Sequence, residues 1–177
     1  SHPTQVLSDI FTIQEIKKKS ISKLKLCWIG DANNNMMNSL IEACIKFSVS
    51  LNIACPKSYQ PNKMLISLIK KQKGKIKIFN KKEIAVKNSD VVMTDKIISL
   101  NDKVNKKKKL KSFKNFKVDT KTMNLAKKDA IFLHCLPRGN EVTEEVFLGK
   151  QSRVWQQALN RVYVQKSILL YCFGKLR

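Results

Sequence analysis

The chain has 177 residues, of which 43% are hydrophobic, and its 35 Lys and Arg against 13 Asp and Glu give a formal charge of +22. A chain of this size and composition can bury a core, which excludes intrinsic disorder. No apolar run approaches the roughly 20 residues that cross a bilayer, and five scattered cysteines without a C-x-x-C pair favour a reducing, cytoplasmic compartment.

Apolar periodicity predicts an alternation of helices and strands. The first helix is expected from Pro3 to Lys18. After it we expect a strand at 24–29, a helix at 36–49, a strand at 51–54, a helix at 61–71, a strand at 76–79, a short helix at 82–87, a strand at 91–95, a lysine-rich helix at 103–113, a short helix at 120–126, a strand at 130–135 and a last helix at 158–173. Short strands separated by helices are typical of β-α-β crossovers. The sequence therefore predicts an α/β fold with a Rossmann-like parallel sheet and helices on both faces, in three layers α/β/α.

The excess of lysine has two interpretations. Lysines that neutralise phosphates would give a basic nucleic-acid-binding module with salt-dependent binding. The lysines are scattered, however, and the run Lys106–Lys109 is expected on the exposed face of a helix. The arginines that phosphate and base recognition favour are limited to Arg138, Arg153, Arg161 and Arg177. A solvated basic surface without specific nucleic-acid binding is therefore favoured.

Three predicted strands end in chemically distinctive segments. The first runs into Gly30–Asn35, the fourth ends at Asp95 with Ser99 close behind, and the last emerges as His134–Gly139. Ligands bind beyond the carboxyl ends of parallel strands, so these segments are expected to share one functional edge.

Structural roles for the same residues stay open. Asn33–Asn35 would suit a turn and a helix N-cap, Asp95 would suit a cap, and Cys135 would suit a core thiol. A histidine, a thiol and an arginine within five residues nevertheless favour a site at 134–138. A neighbouring arginine is expected to favour the thiolate and to bind an anion.

The segment His134–Gly139 reads HCLPRG and resembles the signature of ornithine carbamoyltransferases. Four further segments resemble motifs of that family, in the family's order: His2–Gln5 the H-P-x-Q motif, 28–36 the W-I-G-D-x-N-N segment, 95–100 the D-x-x-x-S-M segment and 158–161 the A-E-N-R segment. Cys135 stands where aspartate carbamoyltransferases carry proline, which favours ornithine over aspartate as the acceptor.

The resemblance implies transfer of the carbamoyl group of carbamoyl phosphate to the δ-amine of L-ornithine, giving L-citrulline and phosphate, with no metal and no cofactor. The implied catalytic residues are Cys135, His2 and Arg161. The implied contacts to carbamoyl phosphate are His2, Pro3, Thr4, Gln5, Cys135, Leu136 and Arg161. The implied contacts to ornithine are Asn35, Asp95, Ser99 and Leu100, with supporting roles for Asn34, His134, Pro137 and Arg138.

In the implied scheme, His2 and Arg161 polarise the carbonyl oxygen while Gln5 and the backbone after the last strand hold the carbamoyl NH₂. Cys135 and Asp95 would help to select the deprotonated δ-amine, and the thiol is not expected to act as a covalent nucleophile. Arg138 is expected to bind an anion or polar loop groups.

The chain departs from the family pattern at Leu100 and Leu159, which replace Met and Glu, and no segment resembles the S-T-R-T-R phosphate-binding loop. The resemblance thus implies a connecting helix at 1–20, an ornithine-binding α/β domain at 21–157 and a C-terminal helix at 158–177, with the amino-terminal carbamoyl-phosphate domain absent. We expect this chain alone to be inactive or nearly so, and the complete enzyme to be a homotrimer. A non-catalytic paralogue, a nucleic-acid-binding module and a transcarbamylase for a related amine stay open as alternatives.

Overall fold

The computed structural model describes residues 1–98 and 105–175. Within these residues the helices and strands alternate as predicted, in the order α1 (Pro3–Lys17), β1 (Lys25–Ile29), α2 (Asn35–Lys46), β2 (Ser50–Ala54), α3 (Lys63–Lys71), β3 (Ile76–Phe79), α4 (Lys82–Val86), β4 (Val91–Thr94), α5 (Lys106–Ser112), α6 (Thr120–Asn124), β5 (Ile131–His134), α7 (Glu144–Phe147) and α8 (Val154–Cys172). Ser99 and Leu100, predicted to contact the amino acid, lie outside the described residues.

The strands form one parallel sheet in the order β3-β2-β1-β4-β5. The chain builds outward from β1 to β3 and then returns to add β4 and β5 on the other side of β1. The topological switch point therefore lies between β1 and β4, where ligands of parallel α/β folds are bound.

Strand residues alternate between two hydrophobic clusters, one on each face of the sheet. In β1, Leu26 and Trp28 join the cluster formed with α1, α2 and α3. Cys27 and Ile29 join the other cluster, which contains residues of α4, α6 and α7. The predicted α/β architecture, with helices on both faces of a parallel sheet, is confirmed.

Three predicted helix starts are wrong. α5, expected from residue 103, begins at Lys106 because the Asn105 side chain accepts a hydrogen bond from the Lys108 N–H and caps the helix. α3 begins at Lys63 and not at Pro61, because the Asn62 side chain accepts a hydrogen bond from the Leu65 N–H and caps the helix. α8 begins at Val154 and not at Ala158, since its buried residues Val154 and Gln157 already pack against the rest of the fold. The short helix α7 was not predicted.

The longest described helix, α8, carries polar residues throughout its first half. No helix among residues 1–98 and 105–175 is long and apolar enough to cross a membrane.

Candidate functional site

The carboxyl ends of β1, β4 and β5 lie side by side, as the sequence predicted. Thr94 at the end of β4 pairs in register with His134 at the end of β5, and the Thr94 hydroxyl donates a hydrogen bond to the Ile29 carbonyl of β1 at 2.6 Å. Gly30 follows β1 with φ +144°, and a Cβ there would lie 3.2 Å from Thr94 Oγ1. Only glycine combines this backbone conformation with so close an approach.

The motif residues of α1 and α8 reach this same edge. The backbone N–H of His2, which precedes α1, donates to Ser39 Oγ of α2 at 2.7 Å. Burial lowers the pKa of His2, and the positive charge of Arg161 on α8 lowers it further, whereas Asp95 raises it. The charges of Asp95 and Arg161 act on both His2 and Cys135, so these four predicted site residues lie near one another.

Cys135 carries a protonated thiol at neutral pH. Burial raises its pKa well above the usual value, and the negative charges of Asp9 and Asp95 raise it further against the opposing charge of Arg161. The expectation that a neighbouring arginine favours the thiolate is therefore wrong. Arg138 is exposed and its guanidinium carbon lies 5.1 Å from the centroid of the Phe147 ring. Because the thiolate is the nucleophilic form, the raised pKa of Cys135 does not favour covalent chemistry at this thiol.

Asp95 follows β4 and is partly buried. Burial raises the pKa of its carboxyl group, while a hydrogen bond from the Lys96 backbone N–H at 2.7 Å opposes this shift. Nearby His134 and His2 also lower this pKa, whereas the negative charge of Glu141 raises it. This carboxylate therefore has a higher proton affinity than an exposed aspartate, in a place where a cationic amine would be attracted.

The loop after β5 is tied together by a carboxylate that was not predicted. Glu141 Oε1 lies 2.8 Å from His134 Nε2 and accepts a hydrogen bond from the Gly139 N–H at 2.6 Å. Burial opposes ionisation of Glu141, but the hydrogen bonds from His134 and Gly139 lower its pKa overall. This bridge fixes the loop that begins at Cys135, whose next residues, Leu136, Pro137 and Arg138, are exposed.

The asparagines after β1 have different positions. Asn34 caps α2, since its side chain accepts a hydrogen bond from the Met37 N–H at 2.8 Å. This is the structural role left open for the asparagine run. Asn35 is the first residue of α2 and its side chain is exposed, which leaves it available to a ligand at the functional edge.

The expectation that the whole run Lys106–Lys109 lies on an exposed helix face is wrong for its last member. Lys109 is buried, and its ammonium nitrogen lies 2.7 Å from Asp31 Oδ2. The other three lysines are exposed. The exception arises because α5 packs over the turn that follows β1, where Asp31 offers a buried counter-charge.

A set of hydrogen bonds among Gln5, Asp9, Gln157 and His134, called the polar seam here, joins α1 to α8 and to the end of β5. Gln5, predicted to hold the carbamoyl group, donates from Nε2 to Asp9 Oδ1 at 2.8 Å. Gln157 donates from Nε2 to the same oxygen at 2.7 Å. The side-chain oxygen of Gln157, Oε1, in turn accepts a hydrogen bond from the His134 backbone N–H at 3.0 Å.

Sequence reasoning missed Asp9, although α1 carries a signal for it. Buried polar residues recur at helical spacing beside the buried apolar face of the same helix; they are Gln5, Ser8, Asp9 and Thr12. Such a stripe indicates that polar groups from another segment meet this face. Burial raises the pKa of Asp9 to about 6, against hydrogen bonds from the two glutamines that lower it.

The remaining predicted residues have simpler positions. Pro3 occupies the first position of α1, where its missing N–H is no loss. The Thr4 carbonyl accepts a hydrogen bond from Ser8 Oγ. Leu159, which stands two residues before Arg161 on α8, is half exposed. It is the position at which the A-E-N-R segment has Glu, so a carboxylate of that segment would lie on the solvent side of the helix.

Comparison with known proteins gives consistent matches over most of the chain. The family model of the aspartate/ornithine carbamoyltransferase Asp/Orn binding domain matches residues 22–172. The ornithine carbamoyltransferase of Methanococcus aeolicus is 43% identical over an alignment of 183 positions, which covers 99% of this chain and 60% of that protein. That of Methanosarcina acetivorans is 38% identical over 171 residues, covering 96% of this chain and 56% of that protein.

Solved structures with the same fold are equally consistent. The anabolic ornithine carbamoyltransferase of Campylobacter jejuni superposes with a TM-score of 0.90 at 40% identity, covering 98% of this chain and 59% of that one. The enzyme of Pyrococcus furiosus superposes with a TM-score of 0.88 at 35% identity, covering 100% of this chain and 58% of that one. The chain therefore spans somewhat more than half the length of the relatives that it matches.

Proposed function

Because this chain belongs to the aspartate/ornithine carbamoyltransferase family, we propose that it is the amino-acid-binding part of an ornithine carbamoyltransferase. The reaction is transfer of the carbamoyl group of carbamoyl phosphate to the δ-amine of L-ornithine, which yields L-citrulline and phosphate. The observation that carries this proposal is the convergence of His2, Asp95, Cys135 and Arg161 at one sheet edge.

The charges around Cys135 support ornithine, and not aspartate, as the acceptor. Asp9 and Asp95 both impose negative potential on the thiol, and a carboxylate-bearing side chain would be repelled there. The protonated δ-amine of ornithine would be attracted to the same place. Asn35, together with Ser99 and Leu100, would hold the α-amino and carboxylate groups.

The δ-amine must lose its proton before it attacks the carbamoyl carbon. The raised pKa of the Asp95 carboxyl group makes it a better proton acceptor than an ordinary aspartate. Cys135, whose thiol keeps its proton, would contact the neutral δ-nitrogen as a polar neighbour without forming a bond to carbon. Together these groups would position the amine for attack.

The carbonyl oxygen of carbamoyl phosphate gains negative charge as the tetrahedral intermediate forms. His2, whose lowered pKa keeps its ring neutral at pH 7, would donate a hydrogen bond to that oxygen, and Arg161 would supply a positive charge. Removing one such donor is expected to cost about a hundredfold or more in rate. Gln5 and the backbone of Cys135 and Leu136 would hold the carbamoyl NH₂.

The proposal assigns the chain an incomplete set of groups for catalysis. The dianionic phosphate needs several charge-assisted hydrogen bonds, and no segment here resembles the phosphate-binding loop of the family. We therefore propose that residues 1–20, 21–157 and 158–177 serve as connecting helix, ornithine-binding domain and C-terminal helix, and that the chain alone is inactive. The complete enzyme would be a cytoplasmic homotrimer acting in arginine biosynthesis or the arginine deiminase pathway.

The test is to express this chain alone and fused behind an amino-terminal carbamoyl-phosphate domain of the family, and to assay citrulline from ornithine and carbamoyl phosphate. We expect citrulline from the fusion only, with loss of about a hundredfold in Arg161→Ala. Aspartate in place of ornithine should give no carbamoyl aspartate, and a related diamino acid serves as the second comparison. A folded fusion that makes no citrulline would reject the proposal and favour a non-catalytic paralogue.

A further inference from the structure

The carboxylate of Asp9 lies at the centre of the polar seam between α1, α8 and β5, and no step of the proposed reaction uses it. Its side chain is fully buried. One oxygen, Oδ1, accepts hydrogen bonds from Gln5 and from Gln157. The other oxygen, Oδ2, is buried without a hydrogen-bond partner among the described residues. A buried carboxylate is costly unless it is fully satisfied, so this group calls for an explanation beyond packing.

We propose that Asp9 is a positioning residue that fixes the amide orientation of Gln5 and Gln157, so that Gln5 presents its carbonyl oxygen to the candidate site. An ionised carboxylate only accepts hydrogen bonds. Each glutamine must therefore turn its NH₂ toward Asp9, which leaves its carbonyl oxygen on the opposite end. This inference rests on the proposed function, because it assigns Gln5 an acceptor for the carbamoyl NH₂.

The structure contains the expected consequence at Gln157. Its carbonyl oxygen, facing away from Asp9, accepts the hydrogen bond of the His134 backbone N–H at 3.0 Å. His134 immediately precedes Cys135, so Asp9 is linked through one side chain to the strand end that carries the thiol. A flipped Gln157 would present NH₂ to an N–H group and would break this link.

Gln5 is held by Asp9 in the same way; it is 3% exposed and lies one helical turn from Asp9 on α1. With its NH₂ held by Asp9, the free end of the amide is an acceptor. A ligand group with N–H donors fits such an end, whereas a methyl or carboxylate group does not. Asp9 thereby contributes to selection of a carbamoyl group over an acetyl group without touching the substrate.

The test uses nuclear magnetic resonance of the whole chain and the variant Asp9→Asn. An asparagine carries both a donor and an acceptor, so it no longer forces one orientation on the two glutamines. We expect the His134 amide to exchange with solvent roughly tenfold faster in this variant, which is the effect of one lost hydrogen bond. The side-chain amide signals of Gln5 and Gln157 should titrate with pH in the wild type and not in Asp9→Asn.

The charged and titratable groups that act on Asp9 or share its surroundings are Asp95, Arg161 and Cys135. Asp95→Asn therefore serves to separate its titration from that of Asp9. The matched control is Asp90→Asn, because Asp90 is also a buried carboxylate but accepts hydrogen bonds from Lys25 and Lys127 at the opposite edge of the sheet. Gln156, whose side chain contacts Glu15 and Asn160 instead, is the control amide.

In the fusion protein, Asp9→Asn should raise the KM for carbamoyl phosphate roughly tenfold and leave the KM for ornithine within about twofold. The wild type should bind acetyl phosphate weakly, and the variant should discriminate less between the two phosphates. Unchanged His134 exchange together with unchanged glutamine signals in Asp9→Asn would overturn the inference. A wild-type fusion without activity would reject the proposed function, while the amide signals would still decide the orienting role of Asp9.

Discussion

The ammonium group of Lys109 lies 2.7 Å from the carboxylate of Asp31, and both side chains are buried. Lys109 belongs to α5 and Asp31 follows β1, so the ion pair joins segments that are distant in the chain. The Tyr59 ring also lies under the ammonium group, with its centroid 5.6 Å from Nζ. The pair therefore holds α5 against the functional edge of the sheet.

Lys109→Met is expected to lower the free energy of unfolding by about 3–5 kcal/mol, because it leaves the Asp31 charge buried without its ammonium partner. Unfolding in urea measures this change. Lys108→Met, on an exposed residue of the same helix, should change the free energy by no more than about 0.5 kcal/mol. The double variant Asp31→Asn/Lys109→Met should be more stable than Lys109→Met alone, and the prediction fails if it is not.

Cys135 is expected to react slowly with alkylating reagents. Burial and two nearby carboxylates raise the pKa of its thiol well above 9, so the thiolate fraction at pH 8 is small. Cys172 is exposed on α8 and should be alkylated by iodoacetamide roughly tenfold faster or more. Peptide mass spectrometry over time gives both rates in one sample. A Cys135 rate that levels off below pH 8 would contradict the assigned protonation state.

Glu141→Gln should destabilise the fold by about 1–3 kcal/mol at pH 7, because it removes the charge from two hydrogen bonds in the loop after β5. The pKa of Glu141 in the folded chain lies below its unfolded value of 4.5. Its ionised form therefore stabilises the fold above pH 4.5, and this contribution is lost as the pH falls through the folded pKa.

The stability difference between wild type and Glu141→Gln should accordingly shrink on acidification, as measured by urea unfolding at pH 7 and at pH 3. Glu42→Gln, on the exposed side of α2, is the control and should show neither the loss nor its pH dependence. A difference that stays constant over this pH range would assign the effect of Glu141 to packing alone.

Asp9 should give the opposite pH dependence. Its pKa is raised from 3.8 to about 6 in the folded chain, so the folded state holds this proton more tightly than the unfolded state. The contribution of protonated Asp9 to the free energy of unfolding is fully present below pH 4. It is lost as the pH rises toward 6, by up to about 3 kcal/mol. Asp9→Asn removes this titration.

Relative to Asp9→Asn, the wild type should therefore lose stability between pH 4 and pH 6 and then show a constant difference at higher pH. Thermal or urea unfolding of both proteins across this range checks the sign. A relative stability that rises with pH would show that hydrogen bonds from Gln5 and Gln157 outweigh burial at this carboxylate.

Most of the fold was predictable from the sequence, because apolar periodicity is a local property of each segment. The strands around Trp28, Ile53 and Met93 were predicted within one or two residues of their observed bounds. Element ends were predicted less well where a side chain decided them, as at the Asn62 cap of α3. The motif HCLPRG likewise identified the strand end that carries Cys135, because its residues are contiguous.

Only the tertiary structure decided the state of the charged residues. The pattern of α5 does not distinguish Lys109 from Lys108, and burial of the former depends on Asp31 from a distant turn. The thiol of Cys135 was expected to respond to an adjacent arginine, yet its pKa is raised by burial and by Asp9 and Asp95. Electrostatic energy depends on distance and burial in three dimensions, and sequence neighbours determine neither.

Residue type and spacing in the sequence were enough to predict every described strand, every described α-helix except α7, and the chemical groups that lie at the strand ends. The sheet order β3-β2-β1-β4-β5, which places the ends of β1, β4 and β5 together, required the fold. So did the meeting of Gln5, Asp9 and Gln157, since α1 and α8 lie at opposite ends of the described chain and only the folded structure brings them into contact.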